Sequence, residues 1–319
     1  MVVRFGIIGL GTIANRFAGV LKQMEGVTLE AVASRDMIRS VEFAQKYEAI
    51  KAYDSYDDLI NDDEVDIIYI ALPHNFHYDI VKKSLNHNKA VLCEKPFVLH
   101  GEDAIELVEL AKNKNVLLME GMWTRCVPTF QKVKEWIKNG QIGEVGIINA
   151  SFAFNIPFLP EHRLYNPMLA GGSLYDAGVY PIEFAIGVLD EIPISCKGTA
   201  SICPTGVDDF VSMSLKFASG ALASLSCGFK ANVSRDAIIY GTKGHIVTYN
   251  FLGSRKCERY DEKGNLLETF EIEFLDGFIY QIQHICELFI NKKIESHLIP
   301  HKDTIACAKI FDQLMEQFH

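Results

Sequence analysis

Three features are missing from this 319-residue sequence, and each absence excludes a class of protein. No run of about 18 apolar residues occurs, so no helix is expected to span a membrane. Basic residues do not predominate: 31 Lys and Arg stand against 41 Asp and Glu, and a formal charge of −10 is unsuited to binding a nucleic-acid backbone. The chain enters an apolar strand at Val3, which leaves no room for a signal peptide. We therefore expect a cytoplasmic protein that binds neither nucleic acid nor membranes.

Paired cysteines are missing as well. The eight cysteines stand singly, no C-x-x-C motif occurs, and no Cys and His residues stand at zinc-ligand spacing. His284, His297, His301 and Glu287 form no metal-binding pattern either, so we predict that the protein holds no metal. Isolated cysteines are typical of small buried hydrophobic residues in a reducing compartment, with one reactive thiol as the open alternative.

The order of apolar segments predicts two domains. Short apolar strands alternate with amphipathic helices through residues 1–121, which indicates an α/β domain with a doubly wound parallel Rossmann sheet. Beyond residue 121, consecutive strand-like segments are separated by short turns, and two helices close the chain at about 278–291 and 303–317. Residues 122–319 are therefore predicted to form an α+β domain, with a large, mostly antiparallel sheet, that binds substrate and mediates oligomerisation.

A glycine turn directly after the first strand indicates a dinucleotide site. The segment from Gly9 to Ala14 has the pattern G-x-G-x-x-A and opens a helix. Gly9 permits a tight turn, Gly11 lets the backbone approach a pyrophosphate, and Ala14 lets the helix pack on the strand. Thr12 and Ile13 start the helix, whose free N–H groups attract phosphate. We predict that Gly9, Gly11, Thr12 and Ile13 contact the cofactor.

The end of the second strand bears on the choice between NAD and NADP. An Asp or Glu at this place accepts hydrogen bonds from the ribose 2′-hydroxyl of NAD. Here Ser34 and Arg35 supply a hydroxyl and a guanidinium, which suit a 2′-phosphate, so we predict a preference for NADP. The alternative is that Arg35 is a surface residue and that Asp36 binds the ribose of NAD.

Three motifs carry a resemblance to a known family. They are Pro73 and His77 after one strand, Glu94-Lys95-Pro96 after the next, and the segment GGSLYDAGVYP at 171–181. With these motifs the chain resembles, over essentially its whole length, the glucose–fructose oxidoreductase/inositol dehydrogenase (Gfo/Idh/MocA) family. The segment MEGMWTR at 119–125 is most similar to the dimeric dihydrodiol dehydrogenase branch.

The resemblance assigns roles to several residues. It implies that Lys95 lies by the nicotinamide and the substrate hydroxyl, and a cis peptide bond before Pro96 would be consistent with it. It also implies cofactor-contacting loops, which contain Pro73, His77, Glu94, Trp123 and Arg125. Many members have Asp-x-Gly-x-His in the second domain, whereas this chain has Tyr180 in the place of the His. A homodimer, or a dimer of dimers, is expected from the same resemblance.

The residue chemistry supports a proton-handling role for Tyr180. Asp176 and Tyr180 are four residues apart, so on a helix they would share one face. A phenol ionises near pH 10, and an ammonium such as that of Lys95 would favour the phenolate. We predict that Lys95, Asp176 and Tyr180 are catalytic and that Asp176 and Tyr180 also bind substrate. The alternative is that Tyr180 packs in the core and that Asp176 caps a turn.

Several other residues are candidates for the site, and for three of them a functional and a structural role are both possible. Trp123 and Arg125 would flank the nicotinamide or the cofactor phosphates, or would form an interdomain packing joint. His77 would orient the cofactor loop or serve as a structural histidine. Arg163, which lies between His162 and Tyr165 before the double glycine, is a candidate substrate ligand.

The predicted function is an NAD(P)-dependent oxidoreductase. It would transfer a hydride between the nicotinamide and a secondary alcohol or carbonyl of a sugar, a polyol or a trans-dihydrodiol. The alternative is a non-catalytic nucleotide-sensing regulator of the same fold. A third possibility, transient oxidation during glycoside cleavage, would require metal ligands or acidic residues that the sequence does not display.

Overall fold

The computed structural model of the protein describes residues 2–318 and divides the chain into two compact units. The first unit holds the chain up to Val98 with Glu102–Gly121 and Phe278–His301. The second holds Leu99–Gly101, Met122–Gly277 and the chain from Lys302 onward. The sequence-based domains were 1–121 and 122–319; the first unit of the structure also includes residues 278–301.

The first unit contains the predicted parallel sheet. Its six strands are all parallel and lie in the order β3-β2-β1-β4-β5-β6. The elements are β1 Val3–Ile8, α1 Thr12–Leu21, β2 Val27–Ala33, α2 Met37–Tyr47, β3 Lys51–Tyr53, α3 Tyr56–Ile60, β4 Ile67–Ile70, α4 His77–Asn86, β5 Ala90–Glu94, α5 Gly101–Lys114 and β6 Leu118–Gly121. Every residue of β4 and β5 is buried, as expected for central strands covered by helices on both faces.

The second unit contains an eight-stranded sheet in the order β14-β13-β12-β11-β7-β10-β9-β8. Only the pairing of β7 with β10 is parallel, so the prediction of a mostly antiparallel sheet is confirmed. The elements are α6 Pro128–Lys138, β7 Val145–Ala153, α7 Val179–Leu189, β8 Ser195–Ile202, β9 Asp208–Lys216, β10 Leu222–Gly228, β11 Ala237–Gly241, β12 Gly244–Tyr249, β13 Lys256–Asp261, β14 Leu266–Glu271 and α9 His301–Met315. Helix α8, Phe278–Ile290, lies in the first unit.

Helix α7 covers one face of the second sheet. It packs against β7 and β10, and nine of its eleven residues are buried. A π-helical turn, Leu174–Gly178, leads directly into this helix. Turns of this kind are rare and occur frequently at functional sites. In this chain the turn carries Asp176.

Helix α8 explains why residues 278–301 belong with the first unit. The Arg16 guanidinium of α1 lies over the Phe278 ring, 4.0 Å from its centroid, and Phe17 meets the same ring edge-on. Helix α8 therefore covers α1. Between residues 2 and 318, no helix has the length and apolar character needed to cross a membrane.

Candidate active site

The glycine turn has the geometry that a dinucleotide requires. Gly9 has a φ of +89°, and a Cβ there would lie 2.8 Å from the Ala71 carbonyl oxygen. A Cβ added at Gly11 would meet nothing within 4 Å, so the space beside this backbone is open. Gly11 precedes α1, which has no side-chain cap and no acidic residue in its first turn. The free N–H groups of Thr12 and Ile13 can therefore receive a phosphate.

The three residues after β2, Ser34 to Asp36, differ in whether their side chains can reach a bound cofactor. Ser34 is buried, and its hydroxyl donates to the Asp36 carbonyl at 2.7 Å and accepts from the Asp36 N–H at 3.1 Å. The Asp36 carboxylate accepts from the Ile38 N–H at 2.9 Å and so caps α2. Arg35 is exposed, and no described residue forms a hydrogen bond or an ion pair with its side chain. Ser34 is therefore closed to a ligand, whereas the Arg35 guanidinium and the second carboxylate oxygen of the exposed Asp36 are open.

Arg39 is a candidate that the sequence did not reveal. Its Nη2 donates to the Leu10 carbonyl oxygen at 2.6 Å, which holds a second guanidinium against the glycine turn. Arg39 lies in the first turn of α2, four positions beyond Arg35, and this spacing was the only sequence signal for a place near the cofactor. An ordinary surface helix would show the same spacing, so the contact itself was needed.

His77 joins the two loops that carry the family motifs. Its Nε2 lies 2.9 Å from the Leu72 carbonyl oxygen, and its Nδ1 lies 3.0 Å from that of Pro96. The ring is fully buried, and burial lowers its pKa because the charged form is disfavoured. The geometry therefore favours the loop-orienting interpretation over direct contact with a ligand.

The Glu-Lys-Pro motif follows β5 and contains a cis peptide bond between Lys95 and Pro96, as the resemblance implied. Glu94 is buried, and its Oε1 accepts from the Tyr69 hydroxyl at 2.6 Å. Its Oε2 accepts from the Lys95 N–H at 3.3 Å. Burial raises the pKa of Glu94. The Glu94 carboxylate thus fixes the backbone that presents Lys95.

Pro73, in the other motif loop, is half-buried and immediately precedes the short helical turn His74–Phe76.

Trp123 packs inside the second unit. Gly253 and Gly277 lie against its indole ring, and a Cβ at either glycine would come within 2.9 and 2.5 Å of ring carbons. The side chain is 9% exposed, which leaves little surface for a cofactor contact.

Arg125 has a structural role rather than the cofactor contact that we expected. Its side chain is 0% exposed. Its Nη1 lies 2.8 Å from the Glu183 carboxylate, and its Nη2 lies 2.7 Å from the Asp303 carboxylate. Both Nη atoms are committed to carboxylates in the core, so no face of the guanidinium is left for a phosphate. We do not include Arg125 among the proposed cofactor residues.

The second-domain motif brings two of the predicted residues together. The Arg163 Nη1 donates to the Asp176 Oδ1 at 2.9 Å. The Asp176 side chain is 10% exposed, whereas that of Arg163 is 51% exposed, so the pair reaches from the core to the surface. We expected Asp176 and Tyr180 to lie on one regular α-helix. Instead, Asp176 lies in the π-helical turn that precedes α7, and Tyr180 lies in α7 itself.

Tyr180 lies in the first turn of α7 and is half-buried. Its ring meets Phe152 of β7 edge-on, with the centroids 5.4 Å apart. This contact fixes the plane of the phenol ring.

Within residues 2–318, no group of three or more His, Cys, Asp or Glu side chains is placed to hold a metal ion.

Comparison with known families identifies the class of protein. Residues 3–122 match a family described as an oxidoreductase family with an NAD-binding Rossmann fold. Residues 130–247 match the GFO/IDH/MocA C-terminal domain. The chain belongs to the Gfo/Idh/MocA family of oxidoreductases, as its motifs indicated.

Individual relatives cover nearly the whole chain. It is 32% identical to the trans-1,2-dihydrobenzene-1,2-diol dehydrogenase of Mus musculus, over 98% of this chain and 96% of that protein. The Bos taurus enzyme of the same name is 33% identical, over 98% and 96%. Among solved structures, a 3-ketoreductase from Actinomadura kijaniata in complex with NADP and TDP-benzene has a TM-score of 0.88 at 23% identity, over 100% of this chain and 98% of that chain.

A second solved structure has the same fold. The aldose-aldose oxidoreductase from Caulobacter crescentus, complexed with glycerol, has a TM-score of 0.88 at 22% identity, over 99% of this chain and 97% of that chain.

Proposed function

We propose that the protein is an NADP-dependent dehydrogenase or reductase. It interconverts a secondary alcohol and a carbonyl on a sugar, a polyol or a trans-dihydrodiol. The observation that carries this proposal is the buried Asp176 carboxylate, held by Arg163 on the turn that leads into Tyr180. The eight free cysteines suit the reducing cytoplasm, where we place the protein.

The cofactor proposal rests on the glycine turn and two guanidinium groups. Gly9, Gly11, Thr12 and Ile13 would bind the pyrophosphate. Arg35 is exposed and unpaired among the described residues, so it is available to a 2′-phosphate. Arg39, which contacts the Leu10 carbonyl, would contribute a second positive charge beside it, and Ser34 would shape the turn. Bound NADP supplies the hydride chemistry, so the protein has to orient substrate and move a proton.

The proton would be handled by Tyr180 and Lys95. The phenol hydroxyl would exchange a proton with the substrate oxygen, and the motif resemblance gives the Lys95 ammonium the role of favouring the phenolate. Asp176 would accept a hydrogen bond from a substrate hydroxyl, while the hydrogen bond from Arg163 holds the carboxylate in place. Glu94, Pro73 and His77 hold the loops on which Lys95 depends.

The substrate class is supported by what the relatives are named for. A trans-dihydrodiol dehydrogenase, a 3-ketoreductase and an aldose-aldose oxidoreductase all suggest oxidation or reduction at a hydroxyl-bearing carbon. The pair formed by Asp176 and Arg163 carries no net charge, which suits an uncharged polyhydroxylated molecule.

A substrate screen tests the proposal. The purified protein is mixed with NADP⁺ or NAD⁺ and a panel of aldoses, cyclic polyols and trans-dihydrodiols, and NAD(P)H absorbance is followed. We expect turnover with at least one class and a higher kcat/KM with NADP⁺, with Lys95→Met as the inactive blank. Tight NADPH binding without turnover on any compound, in either direction, would instead indicate the nucleotide-sensing regulator.

We also propose that the protein is a homodimer, or a dimer of dimers, formed through the second sheet. The side chains of Tyr240, His245 and Tyr260 form a row of rings on the sheet, with His245 stacked on Tyr260 at 4.7 Å. Tyr240 is 39% exposed although it is a large aromatic residue. Light scattering should give twice or four times the mass of one chain, and Tyr240→Asp should lower that mass. A wild-type protein with the mass of one chain would contradict the assembly.

A further inference from the structure

The double glycine in the second domain serves close packing between two stretches of backbone. A Cβ at Gly171 would lie 2.8 Å from the Leu164 carbonyl oxygen and 2.9 Å from that of Arg163. The Gly172 N–H donates to the Leu164 carbonyl at 2.9 Å. These contacts hold the Arg163–Leu164 backbone beside the segment that leads to Asp176. The absence of a side chain at Gly171 therefore lets the Arg163 backbone lie close to the segment that carries Asp176.

A second carboxylate holds the same segment from the other side. Asp208 is the first residue of β9 and is 2% exposed. Its Oδ2 accepts from the Ser173 hydroxyl and from the Leu174 N–H, each at 2.7 Å. Its Oδ1 faces Gly172, whose φ is +128° and whose Cβ, if present, would lie 2.5 Å away. A single carboxylate thus hydrogen-bonds two consecutive residues and packs closely against the glycine that precedes them.

These residues form the start of the π-helical turn that carries Asp176. The first N–H groups of a helical turn have no partner inside it, and Asp208 satisfies one of them at Leu174. The Asp176 N–H donates to the Gly172 carbonyl at 3.3 Å. The two shorter hydrogen bonds, from Ser173 and Leu174 to Asp208, anchor the turn two and three residues before Asp176.

We propose that Asp208 is a positioning residue that acts through Asp176. It fixes the turn so that the Asp176 carboxylate faces Arg163, and it touches neither substrate nor cofactor. This inference rests on the proposed function, because it presumes that Asp176 takes part in turnover. A sequence reading misses Asp208, which lies 32 positions beyond Asp176 and outside every recognised motif.

The neighbouring residue provides a matched control. Asp209 is also buried and also lies at the start of β9, but its carboxylate forms an ion pair with Lys230 at 2.8 Å. Ser173 and Leu174 donate to the Asp208 carboxylate, and neither forms a hydrogen bond with the Asp209 side chain. Replacing Asp209 by Ala removes the same chemical group from the same strand without touching Ser173 or Leu174.

The test is a double-mutant cycle on the full-length enzyme with NADP⁺ and the substrate found by the screen. A misplacement of about 1 Å can reduce turnover by up to about 100-fold, so Asp208→Ala should lower kcat by about 10- to 100-fold. Asp208→Asn keeps an acceptor oxygen and should recover most of the loss, and Asp209→Ala should change kcat by less than about threefold. In an Asp176→Asn background, Asp208→Ala should have little further effect, since the two changes affect one unit.

Amide hydrogen exchange gives a second readout that does not depend on activity. Exchange at residues 173–176 should quicken in Asp208→Ala and remain at the wild-type rate in Asp209→Ala. If Asp208→Ala does not fold, Ser173→Ala removes one of the two donors to the same carboxylate and should show the same pattern with a loss of about three- to tenfold.

The outcomes separate the two proposals. Equal loss from Asp208→Ala in the wild-type and Asp176→Asn backgrounds, or unchanged exchange at the turn, would overturn the positioning role while leaving the proposed function intact. Wild-type turnover by Asp176→Asn would overturn the proposed role of Asp176, and with it any contribution of Asp208 to turnover.

Discussion

A guanidinium can bind a ligand or stabilise a core, and the surroundings of Arg35 and Arg125 differ accordingly. Arg125 is enclosed by Glu183 and Asp303, and burial raises the pKa of Glu183. Its partners are 58 and 178 positions away in the sequence, so the sequence did not reveal that the residue is committed to the core. Arg35, by contrast, is exposed just after β2 and has no described partner, and its role as a cofactor ligand stays a prediction.

Replacement of Arg125 should lower stability and leave cofactor binding unchanged. Arg125→Met leaves two buried carboxylates without their counter-charge, which costs about 3–5 kcal/mol when one partner of a buried pair is removed. We expect a large fall in Tm. Arg255→Met, at a half-exposed arginine of the same domain, should cost less than about 1 kcal/mol. Unchanged stability with weakened NADPH binding would return Arg125 to the cofactor site.

Replacement of Arg35 should weaken cofactor binding and leave the stability of the protein unchanged. A charged hydrogen bond to phosphate contributes about 1.5–3 kcal/mol, so Arg35→Ala should weaken NADPH binding tenfold or more. NADH lacks the 2′-phosphate, and its affinity on the same variant is the internal control. A fluorescence titration that gives equal losses for both cofactors would contradict the NADP assignment.

At the scale of elements, patterns that depend on local sequence were predictable and those that depend on distant partners were not. The apolar strands and the glycine turn of the first unit follow from residues close in sequence. The strands β3, β8, β13 and β14 were missed because they are short or carry many exposed polar side chains. They are strands because a neighbouring strand pairs with them. The π-helical turn was missed because its sequence also suits an ordinary helix.

Helix α8 introduces a pH dependence through His284. The His284 Nε2 lies 2.7 Å from the Ser296 hydroxyl, and burial lowers the pKa of His284 to about 4. Between about pH 6.5 and pH 4 the unfolded chain binds a proton at this residue and the folded protein does not. Stability should therefore decline as the pH falls through this range.

Thermal melts between pH 7.5 and pH 4 measure this dependence. His284→Gln removes the titrating group and should flatten the pH dependence of Tm relative to the wild type, whereas His87→Gln, at an exposed position, should leave the slope unchanged. An identical slope in the wild type and in His284→Gln would assign the acid sensitivity to other residues.

At the scale of the whole molecule, the order of apolar segments predicted two domains but not the return of residues 278–301 to the first. The sequence of α8 is amphipathic and apolar, and such a face can cover either sheet. Its destination is decided by contacts such as those of Arg16 and Phe17 with Phe278, which join residues more than 250 positions apart. The family motifs were recognisable because each is a continuous segment.

The proposed dehydrogenase activity depends most on proton transfer by Tyr180, and one variant tests this role directly. Tyr180→Phe keeps the ring that packs on Phe152 and deletes the transferable proton. General acid–base catalysis contributes about 10²–10⁴-fold, so kcat should fall by that order while NADPH affinity and Tm stay at their wild-type values. Lys95→Met should cause a comparable loss, and the double variant should be little worse than either single variant. Turnover by Tyr180→Phe at close to the wild-type rate would contradict the account and assign Tyr180 to packing.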